Sequence, residues 1–298
     1  MRRAMASGAA LALALAGAAL GQEEARSARA SSPLPLARGA RGDAARIVQH
    51  LLADAARQAG DSPVQVDGVF GPRTASAVAS FQRAAGLRTT GVVDRRTWRR
   101  LHRAAAGPLG SIDPLALAVL PDRYRLKDGE ADVRIRVLPE TRRGTRPLLF
   151  EAKMAVDADG AGDAWRSDPW GQPTTSLTYR GGRSVDPTAV PYFVLPIGFE
   201  REHPEVRLGD LAAVIHQGRV AFAIYADRGP RGKIGEGSIR LAQELGIDAD
   251  PRRGGVGGGV IYVVFPGSGN QRPQPPEQIR EQAAQLLVEA GGAPDRGA

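Results

Sequence analysis

Asp227 and Glu236 lie nine positions apart in the run GRVAFAIYADRGPRGKIGEGSIRLAQELGI. Val220–Ala226 is apolar almost throughout and reads as a buried strand. Asp227 falls where that strand ends, Arg228–Gly235 reads as a Gly- and Pro-containing turn, and Glu236 emerges from it. Loops held by rigid strands are where reacting side chains tend to sit. Of two such carboxyls, a protonated one can donate to a leaving oxygen while an ionised one takes a proton from water. Acids at a strand end and before a helix also serve as turn and capping groups, so spacing alone leaves both roles open. Arg228 and Lys233 would hold the carboxyls ionised if they pointed inward.

Other chemistry is narrowed by composition. The chain has no cysteine, which removes thiol nucleophiles, thiolate zinc, iron–sulfur clusters and disulfides. Its four histidines, His50, His102, His203 and His216, form no close metal pair. His216 sits in a strand–turn pattern and reads as structural. The run from Asp157 to Asp168 has the outline of a calcium loop, but Ala161 occupies a ligand position and Asp168 stands where glutamate is expected. No metal and no cofactor is expected. Asp157 and Asp159 are better read as a turn, or as acids facing a cationic group of a ligand. Trp165, Trp170, Tyr179 and Tyr192 are candidates either for stacking on a ligand or for the core. Gly254–Gly259 lacks a following Gly-Lys-Ser/Thr and reads as a mobile turn rather than a phosphate loop.

The elements that must position these residues divide the 298-residue chain into segments. Residues 1–21 have a positive start, an Ala/Leu run and small residues before Gln22, the pattern of a secretory signal. Residues 22–42 read as a flexible linker, 43–105 as a compact helical block and 106–145 as a connecting segment with one strand, Val133–Leu138. Residues 146–270 are β-rich, and 271–298 hold a helix over Glu277–Ala290 and a tail. Residues 1–149 carry 24 basic and 13 acidic side chains, a net of +11, whereas 150–298 carry 16 and 19, a net of −3. Opposite signs suggest two different partners.

In the helical block, Ile47, Val48, Leu51 and Leu52 recur at helical spacing. Pro72 starts a second helix that Gly86 ends, and Asp94 caps a third, Arg95–Arg103, which buries Trp98 and Leu101. The run V-D-G-V-F-G-P-R-T-x-x-A-V-x-x-F-Q-x-x-x-G-L, then G-V-V-D-x-x-T-W-x-x-L, resembles the peptidoglycan-binding domain of bacterial wall hydrolases. The resemblance covers residues 44–103 and implies noncovalent binding to wall glycan or stem peptide. Phe81, Trp98 and Val78 read as core, and the polar turn of Asp67, Gly68 and Arg73 as the contact, although Asp67 could simply tie its turn. Aromatics are only 5% of the chain, so nucleic acid is not expected as a partner. No membrane association is expected after signal cleavage.

The runs FEAKMAVDADGA, VDPTAVPYFVLP, GDLAAVIHQGRVAFAIYADRGPRGKIGEGS and VIYVVFPGSG resemble family 75 of the glycoside hydrolases, the fungal-type chitosanases. That resemblance spans about 146–270, with departures at Ala161 and around Arg252–Gly259 that touch substrate choice. It implies that Asp227 and Glu236 are the two catalytic acids of an inverting β-1,4 hydrolase, with Glu236 assigned as acid and Asp227 as base. Inversion needs the carboxyls roughly 6.5–9.5 Å apart, with water between them. Asp157, Asp159, Trp165, Tyr192 and Lys233 are the expected substrate contacts. The expected fold is multidomain α + β, a small three-helix bundle followed by a β-barrel of possible double-psi type. The expected role is a secreted, wall-associated hydrolase of chitosan or a related amino-sugar polymer. A peptidoglycan-directed glycan hydrolase and a non-catalytic wall-binding protein are the alternatives.

Overall fold

The computed structural model describes residues 33–126 and 132–294. The segment read as a secretory signal, 1–21, and linker residues 22–32 lie outside the described residues. No helix of the described residues is long and apolar enough to cross a membrane.

The helical block comprises α1 (Asp43–Ala59), α2 (Pro72–Ala84) and α3 (Arg95–Ala105). Pro72 opens α2, where its missing N–H leaves no bond unmade, and Asp94 accepts from Thr97 N to cap α3. Ile47, Leu51, Phe70, Val78, Trp98 and Leu101 are buried between the helices. Two glutamines tie the two turns in the same way. The Gln49 amide donates to Asp67 Oδ1, Val69 O and Thr74 Oγ1 at 2.8, 3.0 and 3.0 Å, and its oxygen accepts from Gly68 N at 2.8 Å. The Gln82 amide donates to Thr90 Oγ1, Val92 O and Thr97 Oγ1, and its oxygen accepts from Gly91 N. The pieces VDGVFGPRT and TTGVVDRRT are therefore equivalent turns. Part of the expected linker is docked rather than free: Leu36 is buried and pairs with Val93, and Gly39 N donates to Phe70 O.

The strands are β1 (Ala118–Arg125), β2 (Asp132–Val137), β3 (Leu148–Asp157), β4 (Tyr192–Pro196), β5 (Leu211–His216), β6 (Arg219–Gly229), β7 (Glu236–Ser238) and β8 (Val256–Phe265). Among the described residues, six of them close in the order β3-β7-β4-β6-β5-β8, and β8 returns to β3. The pairs β3–β7 and β4–β6 are parallel and the other four pairings antiparallel. The segment read as connecting holds the β1–β2 hairpin, which extends the sheet from β3. The short helices are α4 (Phe199–Glu202) and α5 (Ile239–Leu245), the latter capped by Ser238 and ended by Gly246; the longer α6 (Pro276–Glu289) follows.

Strand residues alternate between two faces. One set, including Phe150, Ala152, Met154, Phe193, Tyr225 and Tyr262, fills the barrel and meets Leu241 and Leu245 of α5. The other set, including Tyr192, Val194, Ile224, Ala226, Ile261 and Val263, faces outward into a cluster with α6 and the helical block. Gly257–Gly259 is part of β8, not a mobile turn: between the pairs Ala152↔Val260 and Met154↔Val256, these three residues oppose Lys153 alone. That bulge seats the helical block, because a Cβ on Gly258 would stand 3.1 Å from Val66 O. His216 Nδ1 meets Gly259 O at 2.9 Å, the structural role expected of it.

The helical block is welded to the barrel. Arg46 forms an ion pair with Glu151 of β3, at 2% and 0% exposure, and Arg136 of β2 pairs with Asp43. Gly259 N donates to Glu151 Oε1 at 2.6 Å. Burial pushes the Glu151 carboxyl up and Arg46 opposes it. His50, which meets Asp54 at 3.2 Å, is held below its ordinary value by burial.

Candidate active site

The site forms on the outer face of β3, β7, β4 and β6. Val194 of β4 is the register partner of Asp227 on one side and of Glu236 on the other. Residues in register share a face, so both acids project outward, flanking one strand. Two strand spacings set their Cα atoms roughly 10 Å apart. A bulge between Phe193 and Val194 admits one extra β6 residue, and it turns Asp227 outward beside outward-facing Ala226. Gly229 is required for close approach rather than for φ: a Cβ there would stand 2.8 Å from Glu236 Oε2 and 3.0 Å from Val194 Cγ1.

Asp227 is 7% exposed. Its Oδ1 accepts from Ser176 N at 2.9 Å, Ser176 Oγ at 2.6 Å and Arg228 N at 2.8 Å. Leu177 N donates to Ala226 O at 2.8 Å and fastens the Ser176 loop to β6. Glu236 is half-buried, and burial raises its carboxyl above the usual range. Lys153 and Lys233 oppose that rise, while Asp227 and Asp168 add to it. The Arg228 guanidinium points elsewhere, to Glu200 at 2.7 Å.

Asp157 and Asp159, at and just beyond the end of β3, reach the same place. Carboxylate oxygens of Asp157, Asp159 and Asp227 all lie within 4.8 Å of one another. Burial first, and then Asp159, raises Asp157 well above the carboxylate range. Burial lifts Asp159 to about 6, with Asp227, Asp168 and Glu236 adding to it and the hydrogen bond from Gln172 N opposing. Among the described residues this trio is the grouping that could hold a cation. The same charge would suit an ammonium group.

The aromatic candidates separate. Tyr192 is fully buried, so it offers no face to a sugar; its hydroxyl donates to Asp159 O at 2.8 Å and holds the acidic turn. This corrects its expected role as a stacking platform. Trp165 is half-buried, with the Arg166 guanidinium 4.5 Å over its ring. Trp170 is 88% exposed, on the segment that brings Asp168 toward Glu236, and its backbone N–H donates to Asp168 Oδ1. Gly160, at φ +128, lets this loop pass the Val185 carbonyl, which would be 2.0 Å from a Cβ.

Spacing in the sequence did not single out Lys153 or Ser176, and it marked Asp168 only as the last position of a calcium-loop outline. Lys153 was within reach, because Glu151, Lys153, Ala155 and Asp157 alternate along one face of β3. Ser176 carries no local signal; only the fold brings it to a residue 51 positions away. In the helical block, Asp67 Oδ1 accepts from Gln49 and from Val69 N at 2.8 Å, so it ties its turn. Gly68 is buried with φ +73 and cannot be a contact surface, a second correction; Arg73 is exposed.

Comparison with known proteins finds two matching families. Residues 41–101 match the family model of a peptidoglycan binding domain, and residues 154–289 match the fungal chitosanase of glycosyl hydrolase group 75. An uncharacterised protein of the bpoA1 3′ region of Kitasatospora aureofaciens is 40% identical over 60 residues, which are 20% of this chain and 48% of that one. The chain thus spans about half the length of this curated relative. The crystal structure of the SleB N-terminal domain is 33% identical, covering 26% of this chain and 99% of that one, with a TM-score of 0.22. The chain thus carries, in order, a segment similar to the peptidoglycan binding domain and a segment similar to the group 75 glycosyl hydrolases.

Proposed function

We propose that the chain is an exported, wall-associated hydrolase that cleaves β-1,4 linkages in chitosan or a related amino-sugar polymer with inversion. The observation that carries this reading is the common register partner of Asp227 and Glu236, which sets two unlike acids on either side of an outward-facing strand. Glu236, raised by burial, is the acid: it gives its proton to the glycosidic oxygen as the bond to the anomeric carbon breaks. Asp227, fixed through Oδ1 by Ser176 and Arg228, is the base: it takes a proton from the water that attacks the opposite face of that carbon. Each turnover consumes one water, and the proton taken by Asp227 returns to Glu236 through solvent. Asp157 and Asp159 face the ammonium of a glucosamine unit, and Trp170 offers it an exposed ring.

A second reading keeps this chemistry and takes peptidoglycan glycan as the substrate, favoured by the domain matched at 41–101. Incubation with chitosan and, separately, with purified sacculi decides between them. The first reading expects new reducing ends from chitosan, with the α-anomer formed first in proton NMR. Release from sacculi alone supports the second, and release from neither removes the hydrolase reading.

A further inference from the structure

The α3 helix carries Arg96, Arg99, Arg100 and Arg103 at the i, i+3, i+4, i+7 spacing of a single helix face. The other side of α3 buries Thr97, Trp98, Leu101 and Ala105, so core packing does not require these arginines. All four are exposed, and together they line a surface pocket of about 290 Å³ against Ala85–Leu87, beyond the end of α2. The backbone there brings no competing donors: Ala85, Gly86 and Leu87 N–H groups already bond Phe81, Arg83 and Gln82 carbonyls.

A single acid, next to Arg96, stands against this face. From 72 to 105 the sequence has eight arginines and a single acid, Asp94, whose carboxylate accepts from Thr97 N at 2.7 Å. Among the described residues, none of the four guanidiniums has a carboxylate partner at ion-pair distance. Like charges three and four apart on a helix repel, and only Arg103, in the last turn, gains from the helix dipole. A face arranged for helix stability alone would alternate its signs.

The pocket also differs from the acidic site. Acids crowd that site, whereas this pocket presents guanidiniums, which pair bidentately with phosphate oxygens. Side chains at these spacings begin about 5–6 Å apart, so the row suits a ligand with successive anionic groups rather than one phosphate. Single-stranded nucleic acid would need stacking platforms beside the cations, but the α3 tryptophan, Trp98, is turned into the core at 2% exposure. We infer that the arginine stripe of α3 is a second wall contact, one that holds an extended phosphodiester polymer of the wall. The choice of source rests on the wall-associated reading above; the binding chemistry does not.

The test uses the full chain and poly(glycerol phosphate) as probe, titrated from low to moderate salt. Four contacts predict a log K against log salt slope of about −3. Replacing Arg96, Arg99, Arg100 and Arg103 together by Gln should weaken binding at least 30-fold at 50 mM salt and flatten the slope, as estimated from the same counterion release. The milder pair Arg99→Gln/Arg103→Gln, should the full set fail to fold, should reduce the slope by about half. Removing Arg142, Arg146 and Arg272 instead should leave affinity within about threefold. Equal binding by wild type and the α3 variant, an equal loss in the control, or tighter binding to polyglutamate or a single-stranded oligonucleotide of matched charge overturns the inference. Sugar release is assayed on the same samples: intact hydrolysis with no polyanion binding defeats this inference alone, and the converse defeats the hydrolase reading alone.

Discussion

Glu151 and Asp157 sit on the same outer face of β3, six residues apart, and their surroundings are opposite. Glu151 is sealed under the helical block, paired with Arg46 and bonded to Gly259 N. Asp157 stands among Asp159 and Asp227, with Glu236 also adding to its rise. Burial raises both carboxyls and each accepts from a backbone N–H, but at Glu151 the Arg46 cation opposes the rise more than Asp43 adds to it, while among the described residues Asp157 has no such cation and Asp159, Asp227 and Glu236 all add to its rise. Sharing a strand face and a burial effect, the two acids show that the neighbours, not depth, separate a charge that fastens the fold from one held ready for a ligand. Arrangements of the second kind are where function concentrates.

This contrast breaks first at the acidic site. Asp227→Asn and Glu236→Gln should each lower sugar release by about 10²- to 10⁴-fold, the usual range for losing a general acid or base, with the melting temperature near wild type. Near-full activity in either would leave the acidic end with no catalytic meaning. The next effect is at the other end. Arg46→Met should cost about 3–5 kcal/mol in a denaturant titration, because it leaves the buried Glu151 charge uncompensated, while turnover per folded molecule stays unchanged. Arg46→Met/Glu151→Leu should recover most of that stability. An intact stability in Arg46→Met would show that this end is no more fastened than the other.

The smallest effect sharpens the comparison. The Asp159 carboxyl is raised to about 6 in the folded chain, so folding favours its protonated form. That contribution is complete below the unfolded value near 4 and is lost as pH rises through about 6. Asp159→Asn, which can still accept from Gln172 N, should therefore raise the melting temperature by about 2–4 °C at pH 7.5 and leave it unchanged at pH 4. An equal gain at both pH values would point to packing rather than charge.

Much of this was legible in the chain. Proline at 72 and Asp94 as a cap gave helix boundaries that the structure reproduces, because those signals are local. The strand before Asp227 was legible from its apolar run. The three-residue β7 was hidden, since a Gly-rich connection looks like a turn until two strands bracket it. Tyr192 was misread because a tyrosine on a strand carries no mark of which side will be covered. Gly257–Gly259 was misread because its glycines answer to the helical block packed against it, a contact 190 positions distant in the chain at Val66–Gly258 or more. Ser176 and Asp168 reach the acids only through tertiary folding.

The buried Arg46–Glu151 and the Asp43–Arg136 pairs leave little play between anchor and barrel. An enzyme on a slack leash can sweep a patch of surface around one attachment point. On the proposed reading, a rigid mount instead aims the acidic site in one direction from each landing place, so progress across a polymer mesh would require the whole molecule to detach and settle again, and residence time at the anchor would govern how much glycan each visit exposes to attack.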